Sequence, residues 1–476
     1  MSSKKVLLPK PFWVVWAIEF WERFGYYGMQ TLIALYFTQQ MGYSAKQSMV
    51  ICGVFVSFTY GFIWLGGKIG DQVLGAKRTL FLGAVILMCS YASLGAATKA
   101  TVFYSLAGVV VGNALFKANP SSLISKLFAK GDPALDAAMT MYYMAINVGS
   151  LCATAFTPLI AQNLGWNWAF YVCAMGLFAG LVNYLLLRHW LRNVATEAGK
   201  APLSWTRFSW VLIGSAVSLV TVAQLLTHPL VANILVYIVV AGGLGYFLKV
   251  AFTLPGKARV RMLVAALLVI EGFIFFVLYI QPPTSLMFLA KNNIRGVLFG
   301  WHIPPTEYYF LNPLVIVIMS PILAWFYHRI YATHITKFCI GMTLCAVAFL
   351  LFWFPAHYND HGYISMWWMP LTYFFQSTGE LLISGLGLAM VAELCPRQYS
   401  GLVMGIWFLA LMLAGPVAGW IGGLTQPPAH QHLTTLQSLH IYTRIFIDLG
   451  WVVLAVSALM WLSRPWLNRV IATSKS

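Results

Sequence analysis

Residues 12–39 read FWVVWAIEFWERFGYYGMQTLIALYFTQ. The stretch exceeds the ~20 residues that a helix needs to cross a hydrocarbon core, and its only charges are Glu19, Glu22 and Arg23. It therefore reads as a membrane helix carrying buried charge. Glu19, Glu22, Arg23, Tyr26 and Gln30 recur at helical spacing and fall on one stripe. Such a stripe must face a cavity or another helix, because an ionised group alone in hydrocarbon is strongly disfavoured.

The rest of the 476-residue chain reads the same way. It is 60% hydrophobic and 9% charged, against roughly 25% charge in soluble domains, which excludes an ordinary globular enzyme. Further apolar stretches run at about 48–67, 79–97, 101–127, 138–162 and 167–190, then 207–226 and 230–253. Six more follow at 260–288, 307–327, 337–354, 365–393, 399–424 and 439–463, so 14 spans are expected. The net charge of +17 is spread singly between these runs, unlike the clustered bases of a nucleic-acid face. With both termini on one side, 22 of the 29 Lys and Arg fall on that side and five on the other. The positive-inside rule then puts both termini in the cytoplasm. Only Arg23 and Lys117 are left inside apolar segments. The first helix has no small-residue cleavage site after it and is expected to stay as a membrane helix. The seven cysteines form no CxxC or Cys/His cluster, so neither a disulfide framework nor a metal site is expected.

The layout is all-α and polytopic: a six-helix bundle over residues 1–192, a two-helix insertion with cytoplasmic linkers over 193–258, and a second six-helix bundle over 259–476. It matches the major facilitator superfamily, in which substrate sites lie near the midplane between the halves. The inserted pair has almost no polar side chains and reads as lipid-facing packing. Two more polar stripes, Asn113, Lys117 and Ser121, and Gln376, Glu380 and Ser384, join the first in pointing to one central cavity. With Glu19, Glu22, Glu271, Glu380, Arg23 and Lys117 all ionised, the buried charge sums to −2, a natural place for protons to bind.

Glu19 to Gly28 read EFWERFGYYG, and this segment resembles the ExxERFxYYG signature of the proton-dependent oligopeptide transporter family. Phe116 to Ser122 (FKANPSS), Tyr142 to Ser150 (YYMAINVGS), Gly379 to Gly385 (GELLISG) and Met404 to Leu409 (MGIWFL) are similar to further family motifs at matching places. Phe276 to Gln281, Pro283 to Leu286 and Ser384 to Leu388 are similar to bacterial dipeptide and tripeptide permeases. The loop at 355–364 is short and lacks the large domain of animal members, so the resemblance implies a bacterial inner membrane. Two departures stand out. Many members have Arg at the place of Gln30 and an acid at that of Ile280, a pair that resembles an extracellular gate salt bridge. Losing both strands no charge, so neutral packing is expected there.

The resemblance implies a proton-coupled symporter of di- and tripeptides working by alternating access, with no cofactor beyond the proton gradient and a monomer as the working unit. A short peptide offers an amine at one end and a carboxylate at the other, and acids facing bases would clamp it by both. Glu380, Asn147 and Asn312, with Ser384 on the same stripe, would hold the amino end; Arg23 and Lys117 would take the carboxylate. Tyr27, Tyr36, Tyr60, Tyr143, Phe276 and Trp407 would line permissive side-chain pockets. Asn312 also precedes Pro313 and has a freed backbone carbonyl to satisfy, and Glu271 fits a structural partner as well as a transport role. Glu19, Glu22, Arg23 and Lys117 form the expected coupling set: protonating a glutamate releases a base for the peptide. Gly70, Asp71, Lys77 and Arg78 belong to a turn that resembles a superfamily motif for conformational control. A carrier of another small anion or amino-acid-like solute is the alternative. A membrane enzyme or receptor is disfavoured, since no nucleophile–base pair, metal cluster or phosphate loop is present.

Overall fold

The computed structural model describes residues 8–129, 132–329, 333–395, 399–426 and 433–472. Lys4, Lys5, Lys130, Arg397 and Lys475 of the charge sorting lie outside them. Among the described residues, twelve helical stretches are long and apolar enough to cross a membrane. Lys10–Gln39 and Trp368–Leu394, at 30 and 27 residues, are long enough as well. The chain folds into two compact units.

The first unit comprises Met1–Tyr36 and Phe58–His228. It holds most of α1 (Lys10–Gln39), the end of α2 (Ala45–Gln72), α3 (Ala76–Gly95) and α4 (Val102–Ser125), then α5 (Pro133–Leu164), α6 (Trp166–Leu187) and α7 (Trp205–Thr227). α3 packs along α4 and α6, and α7 leans on α4. Close approach depends on missing side chains: a Cβ on Gly66 of α2 would overlap the Ala114 carbonyl of α4. Gly66→Val is therefore expected to cost about 1–3 kcal/mol by overpacking, read as a lower thermal unfolding midpoint of the purified carrier. α2 and α4 are each broken, at Phe62 and at Ala118. In α4 the break follows Lys117 and precedes Pro120, and Asn119 Nδ2 donates to Leu115 O at 2.6 Å and Gly66 O at 3.4 Å. A side-chain amide thus satisfies carbonyls that the interrupted helix leaves open.

The second unit comprises Phe37–Ser57 and Pro229–Ser476. It takes in the start of α2 with α8 (Pro229–Thr253), α9 (Gly256–Asn293), α10 (Leu311–Arg329), α11 (His334–Leu350), α12 (Trp368–Leu394), α13 (Ser400–Leu424) and α14 (Thr435–Ala472). α11 packs on α12 and α14, while α9 packs on α12 and α13. Gly53 of α2 and Gly415 of α13 meet backbone to backbone, and a Cβ on either would overlap the other's carbonyl. α9 does not end at residue 288; it widens into a π-helical turn over Pro282–Leu286 and continues to Asn293. Gln281 occupies the irregular turn, donating to Val277 O at 3.1 Å and Ala418 O at 3.4 Å. A two-residue hairpin, β1 (Val297–Leu298) and β2 (Trp301–His302), follows α9, turning on Phe299 and Gly300 with φ of 50° and 83°.

The inserted helices are divided between the units: α7 packs on α4, and α8 packs on α13 and α9. Their apolar windows are each only 17% buried, against 83% for α4, so most of their surface is left for lipid.

Candidate transport site

In the first unit the α1 stripe meets α4. Arg23 grips Glu22 with two hydrogen bonds, Nε to Oε2 at 2.5 Å and Nη2 to Oε1 at 2.6 Å, and donates from Nη2 to Asn113 Oδ1 at 3.0 Å. Lys117 Nζ donates to Glu19 Oε1 at 3.0 Å, while Arg23 Nε stands 3.7 Å from that same oxygen. Two acids and two bases thus form one neutral cluster. The bidentate fork suits a guanidinium and not an ammonium, which is why Arg23 holds Glu22 and Lys117 takes the single contact. Gly149 of α5 lets α5 come up against the Phe20 carbonyl, and Tyr142 of α5 lies beside Glu19. The members differ in exposure. The side chains of both glutamates are 0% exposed and that of Arg23 4%, whereas that of Lys117 is 22% exposed. Glu19 Oε2 has no hydrogen-bond partner among the described residues.

In the second unit α12 carries Glu380, buried, with no cation in ion-pair range among the described residues. Asn312 of α10 donates to Glu380 Oε2 at 2.8 Å and to Ser377 Oγ at 2.9 Å. Asn312 therefore serves the carboxylate directly. Ser384 Oγ turns back onto Glu380 O at 3.0 Å. Phe276 and Trp407 meet edge-on at 5.5 Å, and Gly272 and Gly387 leave room for the indole. Glu271 is 5% exposed, and its Oε2 has no partner among the described residues. The two acids in excess of bases are accordingly Glu271 and Glu380, while the α1–α4 cluster pairs two acids with two bases.

The remaining site residues separate by environment. The guanidinium of Arg23 lies 4.9 Å from the Tyr26 ring and 5.9 Å from that of Tyr27. Tyr60 is half-buried, Tyr143 is 41% exposed, and Asn147 donates to Tyr143 O at 2.9 Å. Tyr36 does not join them. It is 1% exposed, packed edge-on against Phe170 at 4.9 Å, with its hydroxyl on Leu94 O at 3.4 Å. Gln30 and Ile280, the neutral replacements, are both buried.

At the turn between α2 and α3, Lys77 Nζ donates to Leu191 O at 2.9 Å, and Arg78 donates to Leu74 O at 3.2 Å and Ala201 O at 2.9 Å. These are carbonyls at chain ends, where cations are favoured. Asp71 Oδ1 accepts from Ser122 at 3.4 Å, and Gly70 leaves room for the Asn119 side chain. Thr196, unnoticed in the sequence, ties the turn together: its Oγ donates to Gly70 O at 2.9 Å and accepts from Ala76 N at 3.1 Å. Ser377 was likewise missed, because it lies off the Gln376–Glu380–Ser384 stripe, and Tyr142 was visible only as a motif member without a role. Asn113 was visible only as a stripe member.

A profile of the POT family matches residues 77–438. The chain belongs to the POT family. Among its relatives, dipeptide and tripeptide permease B of Aliivibrio fischeri (strain MJ11) is 42% identical over 100% of this chain and 98% of its own. Dipeptide and tripeptide permease A of Chromobacterium violaceum is 41% identical over 98% and 95%. The tetrameric crystal structure of PepTSo2 superposes with a TM-score of 0.88 at 34% identity, covering 97% of this chain and 99% of that one. A structure from work on substrate recognition in proton dependent oligopeptide transporters gives 0.86 at 34%, covering 96% and 99%. This POT-family chain is thus a multi-pass membrane transporter with the major facilitator fold.

Proposed function

We propose that the chain is a proton-coupled symporter that imports di- and tripeptides by alternating access. The observation that carries this reading is the division of charge. The first unit holds two bases already matched to two buried acids, and the second holds a carboxylate matched only by amide and hydroxyl groups. A peptide's carboxylate exchanges with a glutamate on a base, and its amine supplies the cation that Glu380 lacks. Lys117 is the base that moves, because its side chain is the most exposed of the four and its contact to Glu19 is single. Arg23 keeps its fork with Glu22 while that carboxylate is ionised and presents its remaining donors. Protonating Glu19 or Glu22 loosens the pairs and admits the carboxylate; losing the proton inside re-forms them and expels the peptide. To the side chains we assign Tyr27, Tyr60 and Tyr143 of the first unit and Phe276 and Trp407 of the second, and to the amine Asn147 of the first unit and Asn312 of the second. One charge moving through about 100 mV supplies about 2.3 kcal/mol, roughly a 50-fold accumulation.

Positive-inside sorting supports both termini in the cytoplasm of a bacterial inner membrane. A monomeric working unit driven by the proton gradient belongs to the same reading. Gly70, Asp71, Lys77 and Arg78 govern the conformational cycle through the carbonyls they hold. Uptake into proteoliposomes under an inward proton gradient tests the substrate class. Labelled dialanine is expected to accumulate and free alanine to remain at equilibrium; equal accumulation of alanine would favour an amino-acid-like solute.

A further inference from the structure

Away from the charge cluster, the first unit has a groove of about 630 Å³ where the start of α3 meets the end of α6. Four permanent cations rim it: Lys77 and Arg78 from the first turn of α3, and Arg188 and Arg192 just beyond α6. His189 joins them, and no Asp or Glu lines the groove. Lys77 and Arg78 stand at a helix N-terminus whose first turn carries no acid, where the helix dipole disfavours cations. Arg188 and Arg192 are exposed and have no carboxylate in ion-pair range among the described residues. Positive charge has thus been gathered against repulsion and left without an internal counter-ion.

The rest of the groove is apolar. Phe81, Leu82 and Val85 continue up α3, and Phe81 stacks on Tyr184 of α6 at 6.2 Å. At 1.5 Å per residue, Val85 lies about 12 Å along α3 from Lys77, so the wall runs from a charged rim into the depth of a membrane span. A soluble anion would use the rim and leave this wall bare. The geometry points to a binding site for an anionic phospholipid, its phosphate among Lys77, Arg78, Arg188 and Arg192 and an acyl chain along Phe81, Leu82 and Val85. The site is separate from the peptide-binding residues and does not depend on the identity of the transported solute.

Native mass spectrometry of the delipidated full-length carrier tests this, with phosphatidylglycerol, phosphatidylcholine of the same chains, and glycerol 3-phosphate as probes. Phosphatidylglycerol is expected to bind at least about 10-fold more tightly than phosphatidylcholine, and a 100-fold excess of glycerol 3-phosphate should not displace it. Arg188→Gln/Arg192→Gln should weaken phosphatidylglycerol about 30-fold, about 2 kcal/mol for two surface cations, and leave phosphatidylcholine unchanged. Arg188→Gln alone, a milder change to folding, should weaken it about 5-fold. Arg188→Lys/Arg192→Lys should retain binding, as should Lys249→Gln/Lys257→Gln, which removes equal charge from the second unit. Equal affinity for both lipids, an unaffected Arg188/Arg192 variant, or an equal loss in the Lys249/Lys257 control would overturn the site. Displacement by glycerol 3-phosphate at comparable concentration would make it a soluble-anion site and overturn it as well.

Discussion

A Lys117→Met carrier is expected to lose proton-driven accumulation of dialanine, with initial uptake down about 100-fold or more. Lys117 is the ion-pair partner of Glu19 at 3.0 Å and the most exposed member of the cluster. Methionine keeps the apolar stem and removes the charge, so two consequences follow. Glu19 is stranded with Arg23 at 3.7 Å, and Arg23 is already committed to Glu22 by two hydrogen bonds. A buried carboxylate without its base takes up a proton and keeps it, which uncouples the cycle. The peptide carboxylate also loses its mobile anchor, and truncating one side of a buried charge pair costs about 2–5 kcal/mol. Accumulation within a few-fold of wild type would show that Lys117 neither couples nor binds.

The second large effect is expected at Glu380. Glu380→Gln retains the shape and can still accept from Asn312, but it removes the one charge that an incoming ammonium would meet on α12. Dialanine affinity should fall by about 100-fold, in line with the loss of a charge-assisted contact at a buried site. N-propionyl-alanine, which lacks the amine, should bind the variant and the wild type within about 3-fold. That split separates an amine anchor from a structural role. A structural carboxylate would weaken both ligands together.

Much of the fold was legible because hydrocarbon is an unforgiving solvent: runs of about 20 apolar residues and the bias of Lys and Arg between loops follow from single-residue energetics. What was not legible is how helices deviate once packed. At the break at Ala118 and the π-helical turn at Pro282–Leu286, Asn119 and Gln281 find carbonyls on neighbouring helices, and hydropathy does not report that. The hairpin at 297–302 is too short for a periodic signal. At the site, the stripes identified the charged residues because each is costly in its span. The pairing was open, with Arg23 and Lys117 both able to serve either glutamate. Fork geometry resolves it by matching Arg23 to Glu22. Tyr36 was the weakest expectation: its aromatic type suits a pocket and a core equally, and burial against Phe170 favours the core.

In the proposed cycle the buried glutamates on α1 join proton movement to peptide movement. Its most direct measurement is a pair of assays on Glu22→Gln in proteoliposomes: dialanine accumulation under an inward proton gradient, and dialanine exchange with no gradient. Accumulation against the peptide gradient is expected to disappear while exchange persists, because an amide at this position cannot cycle a proton yet its one oxygen still accepts a hydrogen bond from Arg23. A Glu22→Gln carrier that continues to concentrate dialanine when the proton gradient is applied would contradict it.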